Sequence, residues 1–353
     1  MPAEAATRYW HRLEDGRVQC DLCPRACRLR DGQRGLCFVR GRRDDAIALL
    51  TYGRSSGFRV DPIEKKPLNH FLPGTAVFSF GTAGCNLACR FCQNWDISKS
   101  REMDTLAAAA SPAEIATAAE RLGCSSVAFT YNDPVVFLEY AVDAADACRA
   151  RGIRTVAVTA GYICPEPRAE FFAHMDAANV DLKAFSDDFY RRVCAGSLRP
   201  VLDTLEYLVA ETPVWVEITT LLIPGHNDSG DEIDRMTRWG VEHLGPDVPW
   251  HFTAFHPDYR MLDVPPTPKE TLTRARSIAL ANGVHYAYTG NVLDREGGST
   301  WCHRCGVLLI EREGYRIGVF AVTAAGCCKA CGARIPGVFA ATGGGTRWTS
   351  PRS

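Results

Sequence analysis

Seven short apolar runs recur between residues 76 and 288, with amphipathic stretches between them. "AVFSF" (76–80), "SVAFT" (126–130), "TVAVT" (155–159), "NVDLK" (179–183), "VWVEITT" (214–220), "WHFTAF" (250–255) and "VHYAY" (284–288) read as strands too apolar to be half exposed. The stretches between them carry helix signals. Ser111, Pro112 and Glu114 make a capping-box start, Gly152 stops a helix over 135–152, and further helices are expected near 166–175, 201–211, 231–244 and 269–283. Buried strands joined by helical crossovers imply an α/β fold with a parallel sheet. Six strand–helix units and a closing strand suit a partial (β/α)6 barrel, with a doubly wound open sheet as the competing arrangement. In either fold, ligands gather where strands end. The polar stretches "GCNLACRFC", "TYNDP", "TAGY", "DLKAF" and "AFHPDY" fall there.

The chain has 16 cysteines in 353 residues. Its first residues lack a basic-then-apolar leader pattern, and no apolar run approaches a membrane span, so the expected location is the cytoplasm. A formal net charge of -1 gives no reason to expect a nucleic-acid or membrane partner. In a reducing compartment, clustered thiols are expected to be metal ligands rather than disulfides. Cys20, Cys23, Cys27 and Cys37 form one cluster, Cys85, Cys89 and Cys92 a second, and Cys302, Cys305, Cys328 and Cys331 a third. Cys124, Cys148, Cys164 and Cys194 stand alone and read as buried small apolar residues. The pair Lys65–Lys66 reads as a solvated loop.

The trio in "GCNLACRFCQNWD" is the informative cluster. A four-iron cubane held by three thiolates keeps one iron open, and the trio follows the first strand, where an open iron is useful. Cys85-x-x-x-Cys89-x-x-Cys92, with Phe91 before the last cysteine, resembles the motif of the radical S-adenosylmethionine (SAM) enzymes. The stretches "DPIEKKPLNHFLPGTAVFSFGTAGCNLACRFCQNWDISKSRE", "TYNDP", "VEITTLLIPGHND" and "WHFTAFHPDYRM" are similar to the radical SAM component of the AmmeMemoRadiSam system, near the pyruvate formate-lyase activating enzymes. That resemblance implies a radical SAM barrel whose [4Fe–4S] cluster, fed by an external electron donor, cleaves SAM to a 5′-deoxyadenosyl radical. It implies SAM contacts from Phe91, Asn132, Asp133, Thr159, Asp181, Lys183, Glu217 and His256. Lys183 is expected to pair with the SAM carboxylate, Asn132 and Asp133 to meet its amino group, and Phe91 to wall the adenine. It also implies association with a Memo-like and an AMMECR-type protein, and leaves the substrate unnamed.

The flanking clusters suggest separate modules. C-x2-C-x3-C-x9-C at Cys20–Cys37 is a closed four-thiolate site for zinc or an auxiliary iron–sulfur cluster. The two C-x2-C pairs from Cys302 to Cys331 read as a zinc ribbon, with Cys327 not a ligand and His303 an inferior one. The expected division is a metal-binding module with lead-in over 1–72, the barrel over 73–292, the ribbon over 293–340 and a flexible tail over 341–353. Three functions compete: a radical SAM enzyme on an unidentified substrate, a glycyl-radical activase acting on a partner protein, and a multi-zinc scaffold without catalysis.

Overall fold

Chemically specified helix starts set the central rhythm of the fold. In the computed structural model, which describes residues 5–99 and 106–339, Ser111 accepts from the Glu114 amide and completes its capping box. Ser229 likewise caps the helix that follows it by accepting from the Glu232 amide. The strands are β1 (Gly57–Pro62), β2 (Ala76–Gly81), β3 (Ser126–Phe129), β4 (Arg154–Thr159), β5 (Ala177–Asp181), β6 (Trp215–Leu222), β7 (Trp250–Ala254) and β8 (Ala287–Gly290). From β2 onward they alternate with helices α1 (Pro112–Arg121), α2 (Leu138–Arg149), α3 (Pro165–Ala173), α4 (Arg199–Glu211), α5 (Gly230–Leu244) and α6 (Lys269–Ala281).

All eight strands form one sheet in sequence order, parallel from β2 to β8, with β1 antiparallel on the β2 edge. A doubly wound sheet must reverse its strand order, so sequential order excludes that alternative. Two features depart from the sequence reading. The lead-in supplies β1, and the last strand starts at Ala287 rather than Val284. Both displaced segments have other partners: Val60 and Phe78 are in register across the β1–β2 pair, and Tyr286 packs with the C-terminal cysteines.

The floor of the barrel is plugged from outside the rhythm. Val77, Ala128, Val156 and Ala177, one from each of β2 to β5, pack on Ile63, Leu68, Phe71 and Leu72 of the lead-in. At the far edge, Tyr286 and Tyr288 share a small core with Cys302, Leu309, Ile310 and Cys328. That core belongs to a three-stranded antiparallel sheet of β9 (Thr300–Trp301), β10 (Leu308–Glu313) and β11 (Arg316–Phe320). At the N-terminus two small antiparallel sheets, over 10–29 and 5–49, carry the first cysteine cluster. They dock on α2 through a buried ion pair between Arg40 and Glu139, and Arg40 Nε donates to the Val136 carbonyl at 3.0 Å. The expected tail over 341–353 lies outside the described residues. Among the described residues, no helix is long and apolar enough to cross a membrane.

Candidate active site

β2 ends at Gly81, and the chain leaves the sheet as the loop that carries Cys85, Cys89 and Cys92. The first turn of this loop is held by one side chain. Asn132 Oδ1 accepts from the Thr82 amide at 2.9 Å, and its Nδ2 donates to the Ala83 and Gly84 carbonyls at 3.1 and 2.9 Å. Further along, the Ala88 and Arg90 amides donate to the carbonyls of Cys194 and Val193, each at 2.9 Å. The trio therefore sits on backbone fixed at both ends.

The three cysteines open on a cavity of about 390 Å³ at the C-terminal end of the parallel strands, within the range of small-molecule sites. Phe91, Asp133, Thr159, Asp181 and Lys183 line it with them. The Lys183 ammonium donates to Asp181 at 2.9 Å and lies 5.7 Å from the Phe91 ring centre. Burial alone would lower the Lys183 pKa, but the Asp181 carboxylate and the Cys89 and Cys194 thiols outweigh it and hold the amine charged. Asp133 accepts from the Val135 amide, the Thr159 hydroxyl and the Ala160 amide at 3.1, 2.9 and 3.0 Å. Burial raises its pKa, against the pull of those three donors.

The structure sorts the expected SAM contacts into three groups. Phe91, Asp133, Asp181 and Lys183 face the cavity directly. Asn132 and Thr159 also line it, but the Asn132 amide is committed to the cysteine loop and the Thr159 hydroxyl to Asp133. Glu217 and His256 are outside the cavity lining. Glu217 is fully buried in the floor, where it accepts from the Asn69 and His70 amides, Trp215 Nε1 and His251 Nε2 at 2.7 to 3.0 Å. With four donors already on its two oxygens, Glu217 holds the lead-in against β6 and β7. His256 is exposed and bonds Gln93, which itself lines the cavity, at 2.8 Å.

Several lining residues escaped the sequence reading. Lys66, expected in a solvated loop, is 2 % exposed, donates to Asp61 at 2.7 Å and sits 4.9 Å from the Tyr131 ring centre. Thr219 lines the cavity with a buried hydroxyl that has no partner. Tyr315, at the turn between β10 and β11, reaches the same cavity from the C-terminal module. Cys194 is also more than a buried apolar residue: the neighbouring thiol draws the Cys89 pKa down to about 6. Burial pushes Cys85 the other way, to about 12.

The metal-ligating clusters differ in geometry. Cys302, Cys305, Cys328 and Cys331 have all four sulfurs within 4.8 Å of one another, with Cys302–Cys331 at 3.7 Å and Cys305–Cys328 at 3.9 Å. A tetrahedral zinc with bonds of about 2.3 Å requires sulfur–sulfur edges of about 3.8 Å, so these four residues fit one extra metal ion. Cys327 lies outside this group, and His303 bonds Tyr286 instead. Among the described residues no other set of three or more thiols is so compact, the trio included. A cubane fits the wider trio, because it takes each thiolate on a different iron.

Comparison with known proteins decides the chemistry. The radical SAM superfamily model matches residues 80–239. "Uncharacterized protein MJ0808" of Methanocaldococcus jannaschii is 39% identical over 328 residues, covering 93% of this chain and 97% of that protein. The chain belongs to the radical SAM superfamily. As a radical SAM enzyme it is expected to use a [4Fe–4S] cluster and SAM, and the pocket fits both: three spaced thiols, a buried ammonium, a buried carboxylate and an orphaned hydroxyl. The enzyme is also 25% identical to the pyruvate formate-lyase-activating enzyme of Clostridium pasteurianum over 201 residues, 53% of this chain and 83% of that one. Its fold matches the crystal structure of a radical SAM methyltransferase from Sphaerobacter thermophilus with a TM-score of 0.50 at 15% identity, covering 86% of this chain and 81% of that one.

Proposed function

We propose that this radical SAM enzyme reductively cleaves SAM at a cluster held by Cys85, Cys89 and Cys92 and takes hydrogen from a small molecule seated beside it. When bound, the cluster and SAM supply one electron and a 5′-deoxyadenosyl radical as the hydrogen abstractor. The observation that carries the reading is the convergence of the trio, Lys183 and Asp133 in one cavity at the strand ends. The Lys183 ammonium suits the SAM carboxylate, and the Asp133 carboxylate suits its amino group. Asp181 keeps Lys183 aimed, Thr159 keeps Asp133 aimed, and Asn132 fixes the turn that delivers Cys85. Phe91, 5 % exposed, is a dry wall for the adenine.

A second chamber of about 330 Å³ supports the small-molecule reading. It shares Lys65, Pro67, Thr253, Asn291 and Tyr315 with the first, so the two adjoin, and the C-terminal module supplies part of its wall. A glycyl-radical activase, the second reading, is favoured by the likeness to the Clostridium pasteurianum protein. That function requires the mouth, bordered by Tyr315, to admit a loop of a partner protein. Membership of the AmmeMemoRadiSam branch, with Memo-like and AMMECR-type partners, rests on the sequence resemblance. The C-terminal four-thiol module is read as a zinc ribbon that braces the barrel edge.

The test is anaerobic reconstitution with iron and sulfide, followed by SAM and dithionite, with 5′-deoxyadenosine measured by chromatography. Wild type should release it and Cys92→Ala should not. A wild-type protein that binds iron but never cleaves SAM overturns the proposal. Release of 5′-deoxyadenosine only when a partner protein is added favours the activase reading.

A further inference from the structure

We propose that Cys20, Cys23, Cys27 and Cys37 hold a second four-iron cluster, not a zinc ion, packed directly against the loop that carries the trio. The C-terminal module of the same chain is the internal reference. There four thiols converge to the edge length that a single tetrahedral ion demands. The N-terminal four do not converge in this way. They line a pocket together with Leu22, Leu29, Leu36 and Val136. A lone ion pulls its sulfurs together and leaves no space between them. A cubane keeps each thiolate on a separate iron, and its own iron and sulfide fill the middle.

A second observation concerns polar atoms. Arg40 lines the cavity at 1 % exposure, with Nε on the Val136 carbonyl and Nη2 on Glu139, while its Nη1 is buried without a partner. Arg25 lines it too, and its Nη2 is likewise buried and unpartnered. Buried guanidinium donors without acceptors cost stability unless a ligand supplies the acceptors. The bridging sulfides and thiolates of an anionic cluster do so, and the two cations offset its charge.

The cavity is also joined to the catalytic loop. A Cβ on Gly84 would stand 1.8 Å from the Cys37 carbonyl oxygen, so the residue before Cys85 touches the last ligand of the N-terminal set. Gly84 has φ +76°, which adds to the requirement for glycine. Arg25 Nε donates to the Asn86 carbonyl at 2.8 Å on the other side of Cys85. Dithionite would add one electron to each cluster, and no bond forms or breaks in that step.

Metal analysis with electron paramagnetic resonance tests this independently of SAM cleavage. Wild type and a Cys85→Ala/Cys89→Ala/Cys92→Ala variant are reconstituted anaerobically with iron and sulfide, with zinc present. The proposal expects about eight irons per chain in wild type and about four in the variant, with one zinc in each. The reduced variant should show one cluster signal that SAM leaves unchanged. Reduced wild type should show signals broadened by coupling between two nearby clusters. About four irons in wild type and none in the variant, with about two zincs in each, overturns the second cluster. Wild-type signals that simply add without broadening overturn the contact. Should the triple variant fail to fold, a Cys20→Ser/Cys23→Ser variant provides the complementary count, with iron halved and the SAM-sensitive signal kept. If wild type and the triple variant both hold about four irons, the cluster reading of the trio fails while the N-terminal site stands, and if both hold none, both cluster readings fail.

Discussion

Acidification should loosen the C-terminal module from the barrel, through His70. This imidazole is fully buried between β8 and residues 336–339. Its Nδ1 lies 2.7 Å from the Pro336 carbonyl, which only accepts, so Nδ1 carries the proton. Nε2, 2.6 Å from the Tyr288 hydroxyl, must then accept. Tyr288 in turn is 2.8 Å from the Thr300 hydroxyl, which takes a bond from Arg312. A second proton on His70 would set donor against donor at Tyr288 and put into the core a charge that the Glu217 carboxylate only partly offsets. Burial accordingly holds its pKa down to about 4, from 6.5 in the unfolded chain.

The sign follows from which state binds the proton first. As pH falls from 7 the opened form protonates near 6.5 while the closed form does not, so stability is complete above 6.5 and drains away down to about 4. Between pH 7.5 and 5.5 the linkage is worth about 1.4 kcal/mol, or tenfold in the opening equilibrium. The readout is hydrogen exchange of the Val338 amide, bonded to the His70 carbonyl, and the Leu72 amide, bonded to the Val338 carbonyl. After correction for intrinsic rates, protection should drop about tenfold across this range in wild type and much less in His70→Gln. Equal pH dependence in the two proteins would refute the argument.

Four further outcomes are expected. Lys183→Met should weaken SAM binding to the reconstituted protein tenfold to hundredfold, about 1.5–3 kcal/mol for a lost charged hydrogen bond, and an unchanged Kd would remove Lys183 from the site. Glu217→Gln should cost about 2–4 kcal/mol in denaturant unfolding, because donors on its oxygens lose their acceptor, yet leave the SAM Kd within about twofold; a large Kd change would return Glu217 to the binding residues. Cys194→Ala removes the thiol that lowers the Cys89 pKa, so if that thiol donates to the ligating sulfur the trio cluster's reduction potential should fall by about 40 mV for one hydrogen bond of about 1 kcal/mol. A potential that does not move in an EPR-monitored redox titration counts against that contact. Cys305→Ser should release about one zinc per chain and expose the β9–β11 sheet to proteolysis; full zinc retention contradicts the four-thiol assignment.

What could be read before the structure was local, and what could not was long-range. The trio was legible because its spacing and its strand-to-loop setting lie within one short segment. Asp181 and Lys183 were legible because they terminate an apolar strand. The burial of Lys66 was not, since it depends on Asp61 and Tyr131, and Tyr131 is far along the chain. Tyr315 comes from a module that sequence alone reads as separate. Thr219 did leave a signal: in "VEITT" it alternates with Glu217 on one face of an otherwise apolar strand. Telling their roles apart required knowing how deep each one lies.

Depth along the strands separates a polar layer tied to the lead-in from a layer that lines the cavity. Asn179 of β5, Glu217 of β6 and His251 of β7 make a polar layer tied to the lead-in: Asn179 donates to the Pro67 carbonyl, Glu217 takes the Asn69 and His70 amides, and His251 bonds Glu217. Two residues further along each strand, roughly 6.6 Å nearer the mouth, stand Asp181, Thr219 and Thr253, all lining the cavity. The lower layer ties the lead-in to β5, β6 and β7, while the upper layer presents the unpartnered Thr219 hydroxyl and the Lys183–Asp181 pair to the cavity. The lead-in is thus part of the active-site enclosure, and the same 63–72 segment carries Lys65 and Lys66 to the mouth and His70 to the C-terminal module. A chain built this way cannot open its floor without also disturbing its mouth.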